Sequence, residues 1–407
     1  MKKINYLIIV VATVILSWGI PSLYGLMTEK SVHYPFTYYS SILHQFCSME
    51  LTGDSLVYKD ESGHHYTETE FDSLLPMFYY RQLLTDGRMP DSINGTPVNG
   101  KIIQQNTFFF RYNPSDVKKP GIKLFPLYES MSGRVDLDMP GDVFRLDSVI
   151  TFIDPETNTV NTSKSNLFTK TLKAKGYQGP AKHIAGTPTT RKAYDEGYFI
   201  IDNNNKVFHM KMVNGKPFIR NTNLPARLIP RIIITTEYPN REFYGFLIDT
   251  NNKVYTIGTD NYTLKPVPTG LFNADKDRLM IMGNMFFWNV EVTNAQGNHL
   301  FAINTKTRDV ESETSMKRPF PPADEMILSY TPFTLSFTSM SDDFIKPRFT
   351  PGHLSALFTC LIMALIYFGI SLKRKTKDKI ILVIWILLTG LYGFIPALIY
   401  SEKKQNN

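Results

Sequence analysis

The sequence predicts a mainly β chain: a periplasmic, β-propeller-like repeat domain flanked by transmembrane α-helices, one N-terminal and two C-terminal. Three observations carry this. Uncharged apolar runs occupy both ends, the polar middle is rich in Tyr, Phe and turn residues, and two hairpin sequences in that middle recur at a fixed interval.

The apolar runs cover residues 4–27, 354–372 and 380–400, and none contains Asp, Glu, Lys, Arg or His. At about 1.5 Å rise per residue, a helix of about 20 residues crosses a hydrocarbon core of about 30 Å. The expected organisation is therefore an N-terminal anchor (1–27), an exported domain (28–353), a two-helix hairpin (354–400) around a basic loop (373–379), and a tail (401–407). Lys2 and Lys3 precede the first run, and Lys373, Arg374, Lys375, Lys377 and Lys379 separate the other two. Basic residues beside short loops stay on the cytoplasmic side. The N-terminus and basic loop are thus expected inside, with the domain and tail outside. Lys403 and Lys404 in the tail oppose that last assignment.

A cleaved signal peptide is the competing reading of the first run. It requires small residues at a cleavage site, whereas Trp18, Ile20, Leu23, Tyr24 and Leu26 crowd the segment. An uncleaved anchor is expected, and no Cys lies nearby for lipid attachment.

The net charge of +7 suggests a nucleic-acid or anionic partner until it is apportioned. Nine of the 44 Lys+Arg and two of the 37 Asp+Glu lie outside the middle segment, which leaves 35 of each inside it. The middle is neutral, and neither nucleic acid nor nucleotide is an expected partner. Cys47 and Cys360 fall on opposite sides of a predicted membrane boundary, so no internal disulfide is expected. With the Met-Lys-Lys start, this favours a bacterial inner-membrane protein facing the periplasm. The sequons at Asn94, Asn161 and Asn261 read as chance matches.

Residues 199–210 (Phe-Ile-Ile-Asp-Asn-Asn-Asn-Lys-Val-Phe-His-Met) match residues 246–257 (Phe-Leu-Ile-Asp-Thr-Asn-Asn-Lys-Val-Tyr-Thr-Ile), 47 residues downstream. Each is a strand, an Asp/Asn turn tolerant of φ > 0, and a second strand. Looser copies lie upstream at 152–160 and downstream at 290–301, and weaker hairpins are expected at 51–58, 108–125 and 334–345. A strand-built unit of about 40 to 50 residues is the mark of propeller blades, about six or seven here. A pair of β-sandwiches is the alternative. Helices are expected at 37–45 and at 68–84, the latter interrupted by Pro76.

Chemical motifs are sparse. Residues 95–102 approach a phosphate-binding loop but lack the final Ser or Thr and contain Pro97. Asp202 to Lys206 starts like a calcium loop, with Lys206 where an oxygen ligand belongs. His64 and His65 are adjacent and would face opposite ways on a strand. No metal, cofactor or catalytic residue is expected, and an enzyme with a dispersed active site is the least favoured function. The candidate ligand-binding residues are Arg134, Asp136, Asp138 and Asp142. The first three alternate with Val135, Leu137 and Met139, as a strand with one charged face would. A second charged cluster, Arg191-Lys192-Ala-Tyr194-Asp195-Glu196, reads as an inter-blade loop. The apolar runs carry no ionisable group for transport, and Gly19, Gly25, Gly369, Gly390 and Gly393 permit close helix packing.

The strings Glu-Ser-Met-Ser-Gly-Arg-Val-Asp-Leu-Asp-Met-Pro (129–140), Tyr-Asp-Glu-Gly-Tyr-Phe (194–199) and His-Met-Lys-Met-Val-Asn-Gly-Lys-Pro-Phe (209–218) resemble an uncharacterised bacterial family. It is known as a domain of unknown function in membrane-anchored proteins. The resemblance implies genes for ABC-transporter components nearby, and hence an accessory or scaffold subunit partnered by the lipid bilayer and a transporter permease. A periplasmic small-ligand sensor is the alternative.

Overall fold

The computed structural model describes residues 2–372 and 376–402. The basic loop 373–379 lies partly, and the tail 401–407 largely, outside the described residues. Helix α1 (Lys2–Thr28) opens the chain. A first sheet follows, built from β1 (Phe36–Tyr39), β2 (Phe46–Thr52), β3 (Ser55–Asp60) and β4 (His65–Tyr66) in that order. Helices α2 (Glu68–Leu74) and α3 (Pro76–Thr85) come next, then the short hairpin β5 (Ser92–Ile93) and β6 (Thr96–Pro97), α4 (Gly100–Asn106), β7 (Phe108–Tyr112) and α5 (Pro114–Val117).

The second sheet contains β8 (Phe125–Pro126), β9 (Val143–Leu146), β10 (Ile150–Asp154) and β11 (Thr159–Val160), followed by α6 (Thr162–Ala174). The third contains β12 (His183–Gly186), β13 (Tyr198–Ile201), β14 (Val207–Val213) and β15 (Lys216–Asn221). The fourth contains β16 (Pro230–Thr235), β17 (Phe243–Asp249), β18 (Val254–Gly258) and β19 (Leu264–Val267). In the fifth, β20 (Arg278–Gly283), β21 (Phe287–Thr293), β22 (Gly297–Asn304) and β23 (Val310–Lys317) take β7 as an extra edge strand beside β20. Helix α7 (Ala323–Leu328), hairpin β24 (Phe333–Ser336) and β25 (Arg348–Pro351), and helices α8 (Ala356–Ile370), α9 (Thr376–Thr389) and α10 (Leu391–Glu402) complete the chain.

These elements divide into two compact units. The β unit is Tyr34–Asn113 with Gly121–Met316, and the helical unit is Met1–His33, Pro114–Pro120 and Lys317–Asn407.

The β unit is propeller-like in its strand organisation, since consecutive four-stranded antiparallel meanders are the unit from which propellers are built. Among the described residues it has five such sheets, where the repeat spacing predicted about six or seven. Aromatic and aliphatic side chains join neighbours in series. Phe144, Phe152 and Phe168 pack with Tyr198 and Phe208 between the second and third sheets. Phe199, Ile201 and Val207 meet Ile233, Leu247 and Ile257 between the third and fourth. Phe108 lies 5.3 Å from Phe243 and 5.0 Å from Trp288, joining the fourth and fifth. Tyr39 and Phe46 meet Phe287 and Leu300, joining the first to the fifth.

The 47-residue match folds as two copies of one turn. Asp202 Oδ1 accepts from the backbone N–H of Asn204 and Lys206, both at 2.8 Å, and Asp249 Oδ1 accepts from Asn251 and Lys253 at the same distance. Asn205 and Asn252 both take φ +62°. The short Asp side chain replaces backbone partners, and Asn tolerates the left-handed conformation. Asp60 repeats the pattern, accepting from His64 N–H at 3.0 Å with Gly63 at φ +82°.

Several expectations fail locally. Residues 37–45 are not helical: Phe36–Tyr39 is a strand paired with β2, because its aromatic run is buried as β structure and Tyr39 N–H donates to Asn289 Oδ1 at 2.6 Å. Residues 108–125 form no local hairpin, since β7 pairs with β20, far along the chain. The hairpin expected at 334–345 forms with a wider loop, β24 pairing with β25 (Ser336↔Arg348). The 68–84 helix is found, divided at Leu75 and Pro76, with Thr67 and Glu70 forming a capping box.

In the helical unit, α1 is the one helix among the described residues long and apolar enough to cross a membrane, over Ile4–Thr28. The second run gives only the 15-residue α8. The third is not one helix. Gly390 takes φ +57° and divides it into α9 of 14 residues and α10 of 12. At about 1.5 Å per residue none of the three reaches about 30 Å, so two C-terminal spanning helices of the expected kind are absent among the described residues. The buried seam here mixes small or polar side chains (Thr13, Ser17, Ala364, Thr389, Ala397) with Ile9, Tyr367, Leu382 and Ile386, while Leu7, Ile15, Phe358, Leu365 and Leu388 are exposed.

Candidate functional site

The chain segments joining first to second strands of neighbouring sheets touch one another at one end of the β unit. Ser130, between β8 and β9, accepts Asp195 N–H on its carbonyl at 3.1 Å and donates its hydroxyl to Asp195 O. Asp195 lies between β12 and β13, and its own carboxylate holds Gly197 N–H at 3.0 Å. From the same segment, Lys192 Nζ reaches Asp195 Oδ1 at 2.5 Å, Thr187 O at 2.7 Å and Glu237 Oε1 at 2.6 Å. Glu237 belongs to the β16–β17 connection, so one ammonium ties two sheets together.

Glu196 ties the same two sheets with the charges reversed. One carboxylate oxygen pairs with Lys211 on β14 and the other with Arg241 between β16 and β17. Arg241 also stacks on Tyr194, 4.0 Å from the ring centroid. Burial alone would raise the Glu196 carboxyl, but the hydrogen bonds and charges of Lys211 and Arg241 together outweigh it and hold the group below the usual range. For Glu237 the balance reverses: burial dominates, Lys192 only partly offsets it, and the carboxyl is raised.

Beneath this network lies His209, fully buried on β14 and stacked on Phe199 with ring centroids 4.4 Å apart. Its Nε2 is 2.6 Å from Glu196 O, and its Nδ1 is 2.9 Å from the Tyr262 hydroxyl. A carbonyl only accepts, so Nε2 carries the proton and Nδ1 accepts from Tyr262. Burial pushes the imidazole down to about 4, so it is neutral at pH 7. Both nitrogens are engaged and the ring is closed to solvent. This histidine fixes loop positions, and no substrate reaches it in this conformation.

The predicted ligand residues are only partly brought together. No strand forms over 131–140: Leu137 is buried, but Val135 and Met139 are exposed at 84% and 67%. Gly133, Pro140 and Gly141 bracket the stretch, and no neighbouring strand pairs with it, so the charged face does not exist. Arg134 Nε and Asp138 Oδ1 approach at 3.9 Å as an exposed pair. Both line an open cleft of about 360 Å³ with Glu129, Ser132 and Asn214. Glu129 is occupied by the β14–β15 turn, accepting from Asn214 N–H at 2.6 Å and Gly215 N–H at 3.0 Å. Asp136 is exposed and does not line the cleft. Asp142 sits elsewhere, paired with Lys164 at 2.7 Å.

The 191–196 cluster, expected to be an inter-blade loop, is an inter-sheet connection with a polar network. Its partners Lys211, Glu237 and Arg241 carried no signal in sequence because they come from other strands and loops. Among the described residues no group of three or more His, Cys, Asp or Glu is placed to hold a metal ion.

Comparison with known proteins adds a family and little else. Residues 36–303 match the model of a family described as "Domain of unknown function (DUF4857)". No curated protein matches the chain. Among solved structures, the β-propeller domain of Cps50 (Swd1) from Myceliophteria thermophila is similar at 12% identity and TM-score 0.27, over 55% of this chain and 61% of that one. Dihydro-heme d1 dehydrogenase NirN is similar at 8% identity and TM-score 0.20, over 66% and 78% of the two chains. The tricorn protease is similar at 10% identity and TM-score 0.21, over 90% of this chain and 49% of that one. Likeness at this level carries no argument about fold closure or activity.

Proposed function

The chain belongs to the DUF4857 family, and we propose that it is a non-enzymatic, membrane-anchored accessory or scaffold subunit whose β unit faces the bacterial periplasm. The outward apolar surface of the helical unit carries this reading. A helix bundle in water buries most of its large apolar side chains. This one buries Ile9, Tyr367 and Ile386 with Thr13, Ser17 and Ala397, but turns Phe358, Leu365 and Leu388 outward, as helices do when lipid is the solvent. On this reading α8, α9 and α10 lie in the bilayer beside α1, although each is short for a full crossing.

The β unit supports a holding role. The buried acids of its loop network are each matched by a cation, and the catalytically versatile group among them, His209, is sealed. The resemblance to membrane-anchored proteins with ABC-transporter neighbours makes a permease the proposed partner. In mild detergent the full chain should purify as a stoichiometric complex with that permease. Recovery as a lone monomer, with transport unchanged after deletion, would contradict the proposal.

A second reading, a periplasmic small-ligand sensor, is favoured by the cleft bearing Arg134 and Asp138. Its volume of about 360 Å³ falls within the range of small-molecule sites. A thermal-shift panel of small carboxylates and amines should then raise Tm in the parent and not in Arg134→Ala. An unshifted parent would remove this reading.

A further inference from the structure

We infer that the third apolar run does not cross the membrane: α9 enters from the basic side and α10 returns to it, so both chain termini lie on one face. This rests on the membrane reading above. Tyr6 on α1 donates to Asp378 Oδ1 at 3.0 Å, and Trp385 Nε1 donates to Thr13 Oγ1 at 3.1 Å. The contact points advance by seven residues on both helices, so α9 runs parallel to α1.

Past Gly390 the direction reverses. A Cβ on Gly393 would lie 2.8 Å from Trp385 Cδ1 and 2.1 Å from Thr389 Oγ1. In a continuous helix residues 385 and 393 are about 12 Å apart along the axis. Ala397 is buried in the same cluster as Ile9, Leu382 and Ile386, with Phe394 and Leu398 packed against it. Had α10 continued onward, Ala397 would stand about 16 Å beyond Ile386. It has come back instead to the level of Ile9.

The reversal suits a bilayer interior. Gly390 N–H donates to Ile386 O at 2.7 Å and Gly390 O accepts from Phe394 N–H at 3.1 Å, so one residue ends α9 and caps α10. The tip is covered by protein: a Cβ on Gly390 would meet Cys360 Sγ and Pro332 Cδ at 3.0 Å, and Tyr392 packs on Phe333 at 5.6 Å. Irregular backbone at membrane depth is tolerated where protein buries it.

The consequence concerns charge. With a single crossing, Lys403 and Lys404 fall opposite Lys2, Lys3 and the basic loop. With the return, all nine Lys and Arg outside the middle segment are assigned to one side, as the positive-inside rule requires.

Labelling with a membrane-impermeant maleimide tests this in spheroplasts. Cys47 and Cys360 are both buried, so the parent provides the blank. Asp54→Cys marks the exposed β2–β3 turn, Thr376→Cys the start of α9, and Gln405→Cys the C-terminal end. We expect Asp54→Cys to label at once, and Thr376→Cys and Gln405→Cys only after permeabilisation. Labelling of Gln405→Cys together with Asp54→Cys, while Thr376→Cys stays protected, would overturn the return and leave the membrane reading intact. Equal labelling of all three without permeabilisation would overturn both.

Discussion

The two units of this protein place similar side chains differently: the β unit buries its aromatic rings, and the helical unit leaves many large apolar side chains exposed. In the β unit, Phe108, Phe110, Phe246 and Trp288 are buried between the fourth and fifth sheets, with Phe110 and Phe246 only 4.1 Å apart. In the helical unit, Phe358 on α8 is 73% exposed, and Ala364, Thr389 and Ala397 share the buried positions with Ile9, Tyr367 and Ile386. Removal from water drives burial of an aromatic ring in the first case. On the proposed membrane reading, nothing in the second favours burial over lipid contact, so close backbone packing and polar contacts such as Trp385–Thr13 decide which face turns inward.

The sharpest way to break this comparison is to truncate one ring in each unit. Phe246→Ala should destabilise the β unit by about 3–5 kcal/mol, measured by chemical denaturation, because it leaves a cavity among four aromatic neighbours. Phe358→Ala should leave the Tm of detergent-solubilised protein nearly unchanged. A large loss from the second change would place that face against protein rather than lipid.

Next in size is the loop network. Glu196→Ala leaves Lys211 without its buried partner and should cost about 3 kcal/mol, by the same measurement. Glu196→Gln should recover part of this by keeping one acceptor.

His209 gives a pH signature of comparable or smaller size. Its folded-state value is near 4 against an ordinary value near 6.5, so the unfolded chain binds the extra proton first on acidification. Stability from this group is complete above about pH 6.5 and is lost as pH falls toward 4, amounting to about 2–3 kcal/mol at roughly pH 4.5. His209→Phe should flatten the unfolding free energy over that window relative to the parent. Identical slopes would mean the ring is not held neutral.

The smallest expected effect is at Arg134. Its pair with Asp138 spans 3.9 Å with both side chains exposed, so Arg134→Ala should change stability by less than about 1 kcal/mol. A larger loss would show that the 131–140 segment has an order the exposed pair does not explain.

What could be read from sequence follows the range of the physics involved. The turns at Asp202 and Asp249 were legible because Asp, two Asn and Lys settle them within five residues. The sheet order was not, since β7 joins β20 across more than 160 residues. The alternation of Arg134, Asp136 and Asp138 has the period of a strand but no partner to pair with. The third apolar run misled for a related reason. Its length and lack of charge fit one crossing equally well, and the fold-back was signalled only by Gly390, Gly393 and Pro396 crowded into seven residues. Of the five glycines expected to permit close packing, only Gly390 and Gly393 have other atoms within 4 Å of a Cβ position.

The central claim is that lipid is the solvent of the helical unit, and alkaline carbonate extraction of membranes carrying the full chain tests it most directly. The chain should stay in the pellet and enter solution only with detergent. Release into the carbonate supernatant would contradict the account.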